Sequence, residues 1–384
     1  MDIVKNPDMD NARKKIRVLH VIASLEFGGG TQVVFDLMNG MRDDVSSSVL
    51  TMVDGENKKF LEAGFSVRSC ENAVASFLKE IRQVALSDTC DLIHLHGSRA
   101  AIFGRIALLG LAKRPKVVYT LHGFHLPHYG FLKCSILLFL ERILNRVVDQ
   151  LVCVSLSDQK QVEALHLIQR DKLQVIMNGI DVDQIVSQKT KERDVIRASL
   201  GVFSDQCVMM TACRFKEPKN ISVVLRAMSL LKNRDMMKFW IVGDGPNRDR
   251  LEQEVCELSL QNQVLFLGYQ SSVLDYLFAS DVAILSTQWE GLPLFLLEAS
   301  ALKKPLVGSL VDGVTDVIVD KQTGFLFEEN NENNLAQKME ELIADPFKRT
   351  RLGNAAYERV CKVFSLSQTI QQYKELYEDL VKNN

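Results

Sequence analysis

The chain has 384 residues, a length that suits two domains of ordinary size. Its 47% apolar and 24% charged residues, with 21 glycines and 8 prolines, exclude a disordered, collagen-like or low-complexity chain. A formal charge of -2 leaves no basic excess, so nucleic acid is not expected as a partner.

No run reaches the roughly 18 uninterrupted apolar residues that a membrane-spanning helix requires. Residues 1–15 (MDIVKNPDMDNARKK) are a polar extension with charges ahead of any hydrophobic run, unlike a signal peptide. Eight cysteines without a CxxC pair read as free thiols in a reducing compartment. Together these features predict a cytoplasmic protein.

Residues 16–22 (IRVLHVI) form a continuous apolar run, as a strand buried on both faces requires. Gly28-Gly29-Gly30 follows, then a helical pattern of Val33, Val34, Leu37, Met38 and Met41. Further β-rich runs fall near 47–53, 91–95, 116–121, 150–154 and 173–177, most of them separated by amphipathic stretches. A charged, weakly periodic stretch around 181–200 predicts a linker. Beyond it the alternation restarts, with strands near 207–213, 238–242, 263–267, 282–286 and 305–309. Alternating βα units predict two doubly wound parallel sheets with helices on both faces. The last twenty residues read as one amphipathic helix opened by Ser365 or Ser367. Sheets of this kind take ligands at the carboxyl ends of their strands, so residues just after strands are the informative ones.

The strand CVMMTAC ends at Arg214, and Lys219 stands behind Pro218, where the next helix is expected to open. Two cations at a helix N-terminus suit a dianionic diphosphate, through point charge, backbone N–H groups and dipole together. The plainer reading is two solvated loop residues. The strand at 282–286 runs into a loop carrying Glu290, then through Gly291, Leu292, Pro293 and Leu294 into a helix carrying Glu298. The loop carboxylate can accept hydrogen bonds from sugar hydroxyls and the helical one can hold a ribose diol. The N–H groups of Leu292 and Leu294 face the same ligand. An acidic helix start with favourable dipole contacts is the rival reading. Gly243-Asp244-Gly245-Pro246 lacks the third glycine of a dinucleotide fingerprint and reads as a tight turn.

All seven histidines precede residue 167. His94 and His96 share one face of a strand, as a metallohydrolase pair would. That chemistry needs further ligands downstream on one barrel, and no histidine follows His166. Asp181-Val182-Asp183 mimics a metal-binding DxD but lies at the linker, so it reads as structural. No metal is expected. His122 ends YTLHG, with His125 and His128 after it; a neutral imidazole at a strand end suits a hydrogen bond to a sugar hydroxyl.

In this order, Gly28-Gly29-Gly30, YTLHGFH, CVSLS, MNGID, Arg214 with Lys219, VGDGP and the Glu290-x7-Glu298 of EGLPLFLLEAS resemble the retaining glycosyltransferases of family 4. These are the group 1 transferases, of the GT-B fold: two Rossmann-like α/β domains facing across a cleft. The resemblance runs from about residue 16 to 380, and Glu-x7-Glu is its most specific part. It implies an acceptor domain over 16–185, a nucleotide-sugar domain over 186–365, and a final helix at 366–384 that crosses back to the first. It also implies that Glu298 binds the donor ribose and Glu290 the hydroxyls of the transferred sugar. Arg214 and Lys219 would neutralise the leaving diphosphate, and His122 would contact the sugar near the reacting centre. Gly29, Gly30, Gly243 and the Gly291–Leu294 backbone would complete the donor site. Three positions depart from the pattern: Gln32 for a Glu, Asp312-Gly313 for Gly-Gly, and Asp316 for a Glu. Asp312 adopts positive φ less readily than glycine, which bears on sugar contacts made by that loop.

The reaction so implied moves a sugar from a nucleotide sugar to an acceptor hydroxyl, with retention and without metal or other cofactor. Surface polysaccharide or glycolipid synthesis is the expected setting, with a saccharide or lipid-linked saccharide as acceptor. An inactive donor-binding subunit would show a substituted Glu290, Arg214 or Lys219, and all three are present. A nicotinamide oxidoreductase would need GxGxxG after a strand. The apolar run at 131–144 (FLKCSILLFLERIL) reads first as a core helix and second as a membrane-surface helix. In the second case Lys113, Arg114 and Lys116 would add cationic contacts to a weak, peripheral membrane association.

Overall fold

A computed structural model describes residues 15–26, 28–70, 73–124 and 130–382. The extension expected over 1–15 lies almost wholly outside them, as do His125 and His128. One sheet contains β1 (Ile16–Ser24), β2 (Val45–Val53), β3 (Ser66–Ser69), β4 (Leu92–His96), β5 (Lys116–Leu121), β6 (Gln150–Cys153) and β7 (Leu173–Val175). Its order is β3-β2-β1-β4-β5-β6-β7. A second contains β8 (Cys207–Ala212), β9 (Met237–Val242), β10 (Val264–Gly268), β11 (Val282–Leu285), β12 (Leu306–Ser309) and β13 (Gly324–Phe327), ordered β10-β9-β8-β11-β12-β13. The pairings β1 with β4 and β8 with β11 are parallel, and at each of them the strand order reverses. These are the switch points of two doubly wound sheets, where helices diverge to opposite faces and leave a crevice past the strand ends.

The chain packs as two compact units. One holds the residues up to Thr120, Leu144–Leu151 and Ile370 onward; the other holds Leu121–Ile143 and Val152–Thr369. In the first unit the C-terminal helix, Leu366–Lys382, is held from Ile370 on by polar and close contacts. Tyr373 and Tyr377 place their hydroxyls on Thr120 and His94, at 3.0 and 2.6 Å, and Lys374 reaches Asp44 at 2.6 Å. A Cβ at Gly40 would stand 2.1 Å from the end of the Ile370 side chain, which would have to shift to admit a larger residue.

In the second unit, strand alternation divides the apolar residues between two cores. Cys207, Met209, Phe239, Ile241 and Ile284 pack on one face, and Val208, Met210, Trp240, Val242 and Leu285 on the other. Residues 181–200, expected as a linker, instead carry the helices Val182–Ser187 and Arg193–Ser199. Three of the charges that make this stretch read as solvated are engaged by the fold. Asp181 caps the first helix, accepting the Gln184 N–H at 2.9 Å. Arg193 and Arg197 bind Asp281 at 2.7 and 3.0 Å, and that carboxylate also accepts the Val208 N–H. Burial would raise the Asp281 carboxyl, but the guanidinium groups and the N–H outweigh it and hold it below the usual range.

Candidate active site

The two strands at the second switch point, β8 and β11, deliver most of the expected site. After β8 the chain passes through Cys213 and Arg214 to Phe215, whose buried ring anchors the segment in the core. The turn after β9 supports this segment from behind. Cys213 N–H bonds Val242 O at 3.1 Å and Phe215 N–H bonds Asp244 O at 2.9 Å. Gly243 has φ 118°, and a Cβ there would stand 2.1 Å from Cys213 O; one on Gly245 would stand 2.6 Å from Phe215 N. The glycines of VGDGP therefore let two backbones touch where Arg214 leaves the sheet.

Lys219 does not open the next helix, which spans Ile221–Ser229 with Asn220 at its cap position. It lies in an antiparallel bridge with Thr287 instead, while Asn220 N–H bonds Ser286 O at 2.7 Å. The backbone at 218–220 is thus spent on the β11 loop and cannot begin a helical turn. That bridge has a chemical consequence: it brings the Lys219 ammonium onto the Glu290 carboxylate in an ion pair. Pro293 then takes the cap position of the helix Leu294–Ala301, which carries Glu298 one turn in, partly buried. The free N–H groups at the start of a helix that follows a switch-point strand are oriented donors of the kind that stabilise an anion.

Two further loops close on Glu290. His122 and Gly123 follow β5, and a Cβ on Gly291 would stand 2.7 Å from Gly123 N and from His122 C. Gly313, at φ 77°, stacks its Cα on the Glu290–Gly291 backbone, with a Cβ there 2.4 Å from Gly291 O. The positive φ in Asp312-Gly313 falls on the glycine, so Asp312 needs no left-handed backbone; its carboxylate pairs with Gln161. Burial lowers the His122 imidazole to about 4, which keeps it neutral near pH 7 and able both to donate and to accept. Gly291→Ala would drive a methyl group into the His122–Gly123 backbone. The expected result is a loss of about ten- to hundredfold in kcat from displacing the loop by a fraction of an ångström, measured beside the melting temperature.

Gly29 and Gly30 open the helix Gly29–Gly40 in the first unit, behind Gly28. Among the described residues, a Cβ on Gly28 or Gly30 would meet nothing within 4 Å. Gln32 bridges Asp36 and Lys59, at 2.7 and 2.6 Å, where the expected Glu would have made an ion pair.

His20 joins His94 and His96 in a buried cluster whose ligand-capable atoms lie within 4.8 Å of one another. Sequence reading missed His20 because it sits inside an apolar strand. Both ring nitrogens of His94 are engaged, with the hydroxyls of Tyr377 and Thr120 at 2.6 and 2.7 Å. His20 Nδ1 faces His96 Nε2 at 3.0 Å, a distance at which one of the two carries the shared proton. Neutral rings satisfy this pattern, and burial holds His20 at about 3.

The helix Phe131–Leu144 is not a core helix. It exposes Leu132 (73%), Ile136 (53%), Phe139 (62%) and Leu140 (45%), a spacing that sets them on one face. Arg114 is not a free surface cation either: it binds Asp149 at 2.6 Å, and that carboxylate also accepts the Val117 N–H.

Two family models cover most of the chain: Glycosyltransferase Family 4 matches residues 27–184, and Glycosyl transferases group 1 matches residues 192–359. The chain is a family 4, group 1 glycosyltransferase. An Escherichia coli relative, UDP-Gal:alpha-D-GlcNAc-diphosphoundecaprenol alpha-1,3-galactosyltransferase, is 25% identical over 98% of this chain and 100% of its own. N-acetyl-alpha-D-glucosaminyl L-malate synthase of Bacillus anthracis is 26% identical over 81% of this transferase and 80% of its own length. Among solved structures, Anabaena HepE in complex with UDP and glucose superposes with a TM-score of 0.83 at 22% identity, over 95% of this chain and 100% of that one. The lipopolysaccharide glycosyltransferase WaaG gives 0.76 at 16% identity, over 94% and 99%. These structural likenesses show the fold, and the fold of this glycosyltransferase is GT-B.

Proposed function

We propose that this glycosyltransferase moves a hexosyl group from a UDP-sugar to a lipid-linked saccharide in surface polysaccharide or glycolipid synthesis, with retention and without a metal ion. The observation that carries the reading is the Lys219–Glu290 pair at the mouth of a switch point, beside the N-terminus of the Glu298 helix. The names of the E. coli relative and of the Anabaena complex supply the nucleotide and the class of acceptor.

In this reading Arg214 and Lys219 bind the diphosphate, with the backbone N–H groups of Gly291, Leu292 and Leu294. Glu298 holds the ribose and Glu290 the sugar hydroxyls, while Gly243 lets the turn after β9 back the Arg214 segment. The ammonium of Lys219 has three donors and can hold Glu290 and a phosphate oxygen together. As the anomeric C–O bond breaks, its electron pair passes to the diphosphate, where the two cations stabilise the growing charge. The acceptor hydroxyl attacks from the same face and gives its proton to a departing phosphate oxygen. Glu290 is tied to Lys219 and does not serve as a nucleophile of the double-displacement kind. His122 is placed to hydrogen-bond the sugar as the bond breaks.

The test is transfer from a panel of UDP-sugars to a GlcNAc-diphospholipid, with and without chelator. Equal rates are expected; a loss restored by manganese would overturn metal independence and return attention to His20/His94/His96 or Asp181/Asp183.

The exposed face of Phe131–Leu144 supports a peripheral position at the cytoplasmic side of a membrane. No helix among the described residues is long and apolar enough to cross one. An interfacial helix lays such an apolar face among the lipid headgroups, with cations such as the exposed Lys133 and Arg142 beside it. Each cation near an anionic surface contributes about 1 kcal/mol and each inserted apolar side chain about 1–2 kcal/mol. Sedimentation with phosphatidylglycerol vesicles is expected to be salt-sensitive and to be lost in Ile136→Asp/Phe139→Asp. Pelleting that the double variant retains would assign the contact elsewhere.

A further inference from the structure

Asp158 lies outside every role given so far, yet it is almost completely buried. It occupies the third position of the helix Leu156–Ala164, which Ser155 caps by accepting the Asp158 N–H at 3.1 Å. An acidic residue there ordinarily serves the helix dipole, a role that an exposed carboxylate fills at no desolvation cost. Asp158 instead turns Oδ1 to the backbone N–H of Phe124, 2.8 Å away and 34 residues earlier in the chain. Oδ2 is buried with no hydrogen-bond partner among the described residues. Burial pushes its carboxyl up to about 7, against the Phe124 and Ser155 hydrogen bonds, and the nearby Asp316 and Asp312 add to the rise.

The same helical turn is gripped from a second side. Asp316 accepts the Leu156 N–H at 3.0 Å and the Ser157 hydroxyl at 2.5 Å. Asp316 follows Gly313, which packs on the Glu290–Gly291 backbone, and Phe124 follows Gly123, which packs on Gly291 from the other side. One turn of helix therefore ties together the two loops that enclose Glu290.

We infer that Asp158 is a positioning residue for His122: through the Phe124 N–H it fixes the His122–Gly123 loop against Glu290–Gly291. The inference rests on the function proposed above. Asp158 touches no reacting atom, so its removal leaves the nucleotide contacts of Arg214, Lys219 and Glu298 in place and misplaces the imidazole.

The experiment compares Asp158→Ala, Asp158→Asn, His122→Ala and the double variant Asp158→Ala/His122→Ala for kcat, donor KM and UDP affinity. D158A is expected to lose about ten- to hundredfold in kcat with UDP affinity within about threefold of wild type. D158N, whose amide oxygen still accepts the Phe124 N–H, is expected to recover most of that loss. The double variant is expected to be no slower than H122A, because a residue that acts through His122 has nothing further to contribute once the imidazole is gone. Wild-type kcat in D158A, or losses that multiply in the double variant, would overturn the inference. Should D158A fail to fold, Asp158→Glu lengthens the reach by one methylene and must show the same kcat-selective loss; wild-type kcat there is equally fatal. The wild-type enzyme in the same assay reports separately on the functional reading. No turnover of any UDP-sugar would overturn that reading and the inference with it, whereas an active enzyme with an unaffected D158A overturns the inference alone.

Discussion

Replacing Arg214 and Lys219 together with alanine is expected to lower kcat by at least about a thousandfold while changing the donor KM by less than about tenfold. The reason is the timing of charge. The leaving diphosphate gains negative charge as the glycosidic bond breaks, so cations beside it stabilise the transition state more than the bound donor. Each oriented electrostatic contact of this type is worth about 3–4 kcal/mol, and two that serve one phosphate group add less than their sum. Lys219 carries a second effect. Without its ammonium the partly buried Glu290 carboxylate loses its ion-pair partner and faces the diphosphate as a like charge. K219A alone is therefore expected to cost more than R214A, and part of that excess should return in K219A/E290Q. A double alanine variant with wild-type turnover would remove both cations from the mechanism.

Glu298→Ala is expected to weaken UDP binding by about ten- to hundredfold, the range for hydrogen bonds between a charged group and ribose hydroxyls. The melting temperature should stay within a few degrees of wild type. Leu296, Leu297 and Ala299 carry the packing of this helix, whereas Glu298 is only partly buried. Calorimetry decides the matter: unchanged UDP affinity would place the ribose elsewhere. The loss should fall mainly on binding, which separates Glu298 from the kcat-dominated effects of Arg214 and Lys219.

The sheets were legible wherever a strand was long and apolar. β3 was not, because Ser66–Ser69 is a short, mostly exposed edge strand with Arg68 and two serines, and such a run looks like any loop. β13 was hidden differently: Gly324–Phe327 starts on a glycine after a polar turn, and four residues are too few to show a period. Motif order put Arg214 just past β8, Glu290 and Gly291 in the loop after β11, and Glu298 in the helix that follows, where the structure has them. It misplaced Lys219, because Pro218 imitates a helix start while the backbone is recruited to Thr287 by a contact 68 residues away in sequence. The segment 131–144 is apolar on most faces, so its composition cannot tell a protein core from a lipid surface; only the packing of its neighbours does. Asp158 stayed invisible because a Ser-x-x-Asp start looks like ordinary capping, and its partner is a backbone N–H that leaves no trace in residue type. Gly123 and Gly313 likewise declare themselves through close backbone approach, which the sequence does not record.

Proton NMR of the product glycoside tests the central reading most directly. With an α-linked UDP-sugar donor in the presence of chelator, same-face attack assisted by the leaving diphosphate gives an α-linked product, with the small anomeric coupling of a gluco- or galacto-configured sugar. A β-linked product, or no transfer to any lipid-linked saccharide until a divalent metal is restored, would contradict it.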